Sequence, residues 1–143
     1  MATQPTVLLV TDEPYLLDAL ASILRRGGYS VLTAPDGDRA AELILRQLPD
    51  VAVLDMLLPG RSGFQITRHL KEQSERCVPV VMISALTAAP HRNYAFAAGV
   101  DWFLEKWLTP TRLLEVVRTL CPVPDGARRP GSGSIPQPAG APA

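Results

Sequence analysis

The stretch Val51-Ala52-Val53-Leu54-Asp55-Met56-Leu57-Leu58-Pro59-Gly60 begins as a wholly apolar run, stops on a carboxylate and then turns. A short run rich in β-branched residues suits a strand covered on both faces, and Pro-Gly marks the turn that follows. Such a strand needs helices above and below it. The flanking sequence supplies them. Four more apolar runs stand at 7–10, 31–33, 78–83 and 102–104. Between them lie helical patterns. Residues 14–26 carry Leu16, Leu17, Leu20, Ile23 and Leu24 and stop at Gly27-Gly28. Residues 38–48, 63–73 and 91–98 carry three more. A last helix starts at Thr109, with Pro110 in its first turn, and buries Leu113, Leu114, Val116, Val117 and Leu120.

Five strand–helix units in strict alternation predict an α/β fold. The expected form is a doubly wound, five-stranded parallel sheet with right-handed crossovers. Ligand sites in such sheets lie beyond the carboxyl ends of the strands, where the strand order reverses. The residues there are Asp12 after strand one, Asp55 after strand three, Ser84 after strand four and Lys106 after strand five. Two carboxylates suit a hard divalent cation such as magnesium. A cation, an ammonium and a hydroxyl together can hold the oxygens of a phosphoryl group in transfer. A carboxylate among them can be the nucleophile and form an acyl phosphate.

Composition narrows the field. The chain has 143 residues, enough for one ordinary domain, and 47% of them are hydrophobic, which argues for a packed core. Basic and acidic residues number 14 each, so no basic field invites nucleic acid. No apolar run reaches membrane-spanning length, and the N-terminus reads as no secretory signal, so the expected location is cytoplasmic. Cys77 and Cys121 read as free thiols in a reducing compartment. From Cys121 onward, Pro, Gly and Ala fill 14 of 23 positions. The expected division is therefore a folded domain over 1–120 and, over 121–143, a disordered tail or a linker to another domain.

The residue order resembles the receiver domain of bacterial two-component response regulators, with a CheY-like, flavodoxin-like fold of strand order 2-1-3-4-5. The segment 49–63 is similar to the phosphoacceptor strand and loop, with Asp55 at the acceptor position. Val10-Thr11-Asp12-Glu13-Pro14 is similar to the acidic-pocket motif, and Trp102-Phe103-Leu104-Glu105-Lys106 to the approach to the family's lysine. The resemblance implies a phosphorylation-driven switch. A histidine kinase or phosphotransfer protein donates to Asp55, assisted by Lys106. Magnesium is held by Asp12, Asp55 and the backbone carbonyl of Leu57. Ser84 and Phe103 are the switch pair, and the surface of helix four, strand five and helix five signals to a downstream protein target or a second copy in a homodimer. Enzymatic activity is expected to stop at the chain's own phosphorylation and dephosphorylation.

Four departures carry expectations of their own. Thr11 stands where the family has a first acid, so magnesium binding should be weaker. Trp107 follows Lys106 where the family has a proline with a cis bond, so a trans bond is expected. Leu57 and Leu86 occupy the two positions that govern how long the phosphoryl group lasts, which implies slow autodephosphorylation. Trp102, Phe103 and Trp107 fall within six residues, suggesting an aromatic interaction face. The alternative to a working switch is a pseudo-receiver, a phosphorylation-independent interaction module; Thr11 and Trp107 favour it. A flavin-type mononucleotide site fits poorly, because Asp12-Glu13 would repel phosphate. An aspartyl phosphatase commonly uses a second acid two residues on, where this chain has Leu57.

Overall fold

The computed structural model describes residues 4–72 and 77–124. In chain order the elements are β1 (Thr6–Val10), α1 (Pro14–Arg26), β2 (Ser30–Ala34), α2 (Gly37–Arg46), β3 (Val51–Asp55), α3 (Gly63–Lys71), β4 (Val80–Ser84), α4 (Ala89–Ala97), β5 (Trp102–Glu105) and α5 (Pro110–Leu120). The strands form one sheet in the order β2-β1-β3-β4-β5, and every pairing is parallel. The doubly wound sheet expected from the alternation is present.

Strand alternation divides the interior into two cores. Val7 and Leu9 of β1, Val51 and Val53 of β3, and Val81 and Ile83 of β4 face one side, where α1 and α5 supply Leu20, Leu24, Leu113 and Val117. Leu8, Val10, Ala52, Leu54, Val80 and Met82 face the other, against Ala40, Ile44, Ile66, Leu70 and Ala95 of α2, α3 and α4. The middle strands are buried along their whole length, which is why they read as unbroken apolar runs.

Boundaries shift where local chemistry outweighs the apolar pattern. The expected helix over 38–48 spans Gly37–Arg46 instead. Asp36 caps it by accepting from the Arg39 N–H at 2.7 Å, and the following Gln47 is extended, its amide donating to Thr6 Oγ1 at 3.2 Å. The fourth strand starts at Val80 rather than residue 78, after Pro79, which has no N–H for a ladder. The third helix begins in a full capping box, with Ser62 and Gln65 bonding reciprocally to each other's backbone N–H groups. Gly60, at φ +74°, makes the turn before it, a conformation a side chain would resist.

Of the expected tail, residues 125–143 lie outside the described residues. Its first residues are held: Tyr29 Oη donates to the Cys121 carbonyl at 2.6 Å, and Cys121 and Val123 pack against the α1–α5 core. Among the described residues, no helix is long and apolar enough to cross a membrane.

Candidate functional site

The chain order reverses between β1 and β3, which lie side by side at the centre of the sheet. Their register pairs Leu9 with Val53 and Val10 with Leu54, so the next step brings Thr11 level with Asp55. Both side chains follow the same alternation, and Thr11 Oγ1 donates to Asp55 Oδ2 at 3.2 Å. Asp55 is 2% exposed, so its charge needs compensation. Lys106 provides it. Its Nζ lies 2.6 Å from Asp55 Oδ2, having reached past β4 from the end of β5. The other acceptor oxygen, Oδ1, takes a long hydrogen bond from the Leu57 N–H at 3.3 Å. One oxygen of Asp55 is thus tied to the ammonium, and the other is held loosely.

Lys106 has a second partner, one the expected site residues did not include. Glu13 Oε2 lies 2.8 Å from Nζ. Burial pulls the Lys106 pKa down, but the hydrogen bonds and charges of Asp55 and Glu13 outweigh it, so the pKa stands above the ordinary 10.5. A group whose pKa is raised by folding stabilises the fold below its unfolded value. That contribution is lost only as pH climbs through the raised value, so the lysine stays charged and paired throughout the neutral range.

Asp12 occupies the loop between β1 and α1 and is exposed. It does not cap α1. The N-cap residue is Glu13, which makes no side-chain cap bond. The groups expected to hold a cation, the Asp12 and Asp55 carboxylates and the Leu57 carbonyl, are all hard oxygens. No group of three or more acidic, histidine or cysteine ligands forms among the described residues. Such a set fits magnesium, which commonly keeps several waters and takes one or two carboxylates. It does not suit a cation that needs a full protein cage.

Ser84 is buried at the end of β4. Its hydroxyl accepts from the Leu86 N–H at 2.8 Å and donates to the Met56 thioether at 3.4 Å. Its carbonyl accepts from the Lys106 N–H at 2.9 Å, which fixes the backbone on which the lysine is mounted. The Lys106–Trp107 peptide is cis, contrary to the trans bond expected. That expectation weighed only the intrinsic cost of a non-proline cis bond. It could not count the contacts to Ser84, Asp55 and Glu13 that hold Lys106 in place, with its ammonium on Asp55.

The three aromatics near β5 do not form one patch. Trp102 joins the α1–α5 core and lies under the Arg112 guanidinium at 5.9 Å. Phe103 points to the opposite side, with Arg92 of α4 over its ring at 5.7 Å. Strand alternation separates these two neighbours. Trp107, past the strand, is 69% exposed, its ring 5.5 Å from Lys106 Nζ.

The family model for the response regulator receiver domain matches residues 7–118. This chain belongs to the response regulator receiver domains. The receiver is 37% identical over 115 residues to the probable transcriptional regulatory protein TcrX of Mycobacterium tuberculosis, covering 80% of this chain and 47% of that protein. It is 31% identical over 120 residues to the probable transcriptional regulator ycf27 of Guillardia theta, covering 84% and 46%. The chain thus spans about half the length of these curated relatives. Among solved structures, the chemotaxis response regulator CheY4 of Vibrio cholerae superposes with a TM-score of 0.77 at 27% identity, over 82% of this receiver and 99% of that chain. Receiver domains generally bind magnesium at the phosphorylation site and act between histidine kinases and downstream effectors. Asp55, Lys106 and Ser84 converge on the rim where those functions are served in the family. Glu13 was legible only as part of the Asp12-Glu13-Pro14 turn, and Met56 only as the residue after the acceptor.

Proposed function

We propose that this receiver is a phosphorylation-dependent switch that accepts a phosphoryl group on Asp55 from a histidine kinase or phosphotransfer protein in the cytoplasm. The observation that carries this reading is the buried Asp55 carboxylate with Lys106 Nζ at 2.6 Å and its Oδ1 held, among the described residues, only by the Leu57 N–H. In the transfer, an Asp55 oxygen forms a bond to phosphorus while the phosphorus–nitrogen bond of the donor phosphohistidine breaks. The imidazole leaves with that electron pair. Lys106 compensates charge on the new phosphoryl oxygens. Magnesium, when bound by Asp12, Asp55 and the Leu57 carbonyl, adds further charge compensation. Beyond these steps on itself, the chain catalyses nothing.

The readout starts at Ser84. A thioether is a weak acceptor, so the hydroxyl gives up little when it leaves Met56 for a phosphoryl oxygen. Phe103 then turns into the space vacated, releasing its contact with Arg92 and changing the α4–β5–α5 surface offered to a downstream protein or a second copy. Two tryptophans bear on that contact: Trp102, half-buried, and Trp107, exposed. The test of the whole reading is the intact mass of the chain after incubation with magnesium and a small phosphoryl donor.

Two properties follow from the departures at the rim. Thr11 brings a hydroxyl to Asp55 where an acid would bring charge, so magnesium binds weakly. Thr11→Asp is expected to tighten magnesium roughly 10-fold or more, the scale on which supporting groups alter metal affinity; a titration giving equal affinities removes the explanation. Leu57 and Leu86, on the loops after β3 and β4, offer apolar side chains that cannot orient an attacking water. Leu57→Asn or Leu86→Ala should shorten the acyl-phosphate half-life about tenfold, equal to roughly 1.4 kcal/mol of barrier. Unchanged decay of phosphorylated protein in both variants would refute this.

The same hydroxyl at Thr11 favours the second reading, a pseudo-receiver that binds partners without phosphorylation. It predicts a folded chain that takes no phosphoryl group from the small donor or from a kinase.

A further inference from the structure

Glu13 enters none of the steps above, yet it shares the central cation of the site. Its Oε2 is buried against the Lys106 ammonium at 2.8 Å and accepts no other hydrogen bond among the described residues. The ammonium is therefore held between two carboxylates, 2.6 Å from one and 2.8 Å from the other. Its side chain is only 12% exposed, so water does little to screen it. A divalent cation approaching Asp55 meets this positive charge already seated on one carboxylate oxygen. Two cations cannot share that oxygen without strong repulsion at low screening. Even a cation on Oδ1 sits within one carboxylate group of the ammonium, and Glu13 is the anion toward which the ammonium can shift.

We propose that Glu13 is a positioning residue that takes over the Lys106 ammonium when a divalent cation occupies Asp55. This rests on the phosphoacceptor reading and deepens it, by naming the residue that lets lysine and metal serve one carboxylate. Thr11 makes the role necessary. An uncharged hydroxyl at that position leaves Glu13 as the second anion in contact with Lys106. Glu13 is suited to the task by its place. As the N-cap residue of α1 it spends no side-chain bond on the helix, so the carboxylate is free to turn toward the sheet rim.

The test is a double-mutant cycle read by magnesium calorimetry on the parent, Glu13→Gln, Lys106→Met and the double variant, each shown to be folded by circular dichroism. Glutamine keeps the shape of Glu13 and removes its charge. With Lys106 present, Glu13→Gln should weaken magnesium about tenfold, the scale expected of a supporting group. With Lys106→Met in place, the same substitution should cost at least threefold less. A direct ligand, or a simple long-range charge, would give the opposite pattern. Its loss would cost as much or more once the lysine no longer neutralises it, and that result overturns the proposal. So does an unchanged affinity in Glu13→Gln. Emission from Trp107 gives an independent readout, since its ring lies 5.5 Å from Nζ. Magnesium should change it in the parent and leave it unchanged in Lys106→Met; a silent parent means the ammonium does not move. A parent that binds magnesium and takes a phosphoryl group, with Glu13→Gln behaving identically, sinks this inference alone. A folded parent that does neither sinks the phosphoacceptor reading together with it.

Discussion

Incubated with magnesium and acetyl phosphate, the parent chain gains one phosphoryl group, and Asp55→Asn gains none. The reason lies in what the rim offers as a nucleophile. Asp55 is buried at the end of β3, its charge compensated by Lys106, with one oxygen held only by a 3.3 Å hydrogen bond. An amide at this position keeps the shape but lacks the anionic oxygen that must bond to phosphorus. The two other acids nearby are poor substitutes. Asp12 is exposed to water, and Glu13 is engaged by the ammonium. The expected difference is all or none, and intact mass spectrometry reads it directly. A phosphoryl group on Asp55→Asn would move the acceptor to another residue and overturn the assignment. No adduct on a folded parent, from either acetyl phosphate or a kinase, would leave the interaction-module reading standing.

Lys106→Met is expected to destabilise the fold by about 3 kcal/mol near neutral pH. The figure is the low end of what removing one partner of a buried ion pair costs, because Glu13 keeps a third of its side chain exposed and can be hydrated. Without the ammonium, the buried Asp55 carboxylate is left with Thr11 and Leu57 as donors and with a second carboxylate close by. Chemical denaturation of parent and variant measures the loss. It should also depend on conditions in two ways. Added magnesium should narrow the gap, because the cation supplies charge at the same place. Raising the pH should narrow it too, but only above about 10.5, where the lysine of the unfolded chain loses its proton, and fully only once the raised value of the folded chain is passed. A gap that closes already between pH 7 and 9 would show that the ammonium is not what stabilises the rim. A variant as stable as the parent would show that Asp55 needs no compensation from Lys106.

The fold was legible because its physics is local and repeated. A strand buried on both faces has to be apolar at every position, and 51–54 and 7–10 are. The helices between them had to bring an apolar stripe of helical period, and α1 and α5 do. Asp55 and Ser84 were legible by position, since each is the first polar residue as its strand runs out toward the rim, and Lys106 as the residue just past Glu105 at the end of β5. Other features depend on contacts between segments distant in sequence. Whether Trp102 and Phe103 shared a patch was decided by which face of β5 each occupies, and alternation puts them in different cores. The cis Lys106–Trp107 bond is not legible in the sequence, because local sequence expresses only a dipeptide's own preference.

Sequence by itself determined the sheet, its helical cover and the placing of the Asp55 carboxylate at the end of a buried strand, because hydrophobic burial and strand period act residue by residue along the chain. Only the tertiary structure decided who answers the charge of that carboxylate. Thr11 donates to it, Lys106 pairs with it across an intervening strand, and Glu13 shares the lysine. Those partners lie 44, 51 and 93 residues from the group they meet: Thr11 and Lys106 from Asp55, Glu13 from Lys106. No local pattern encodes such pairings, because electrostatic compensation depends on distance in space, and folding alone sets that distance.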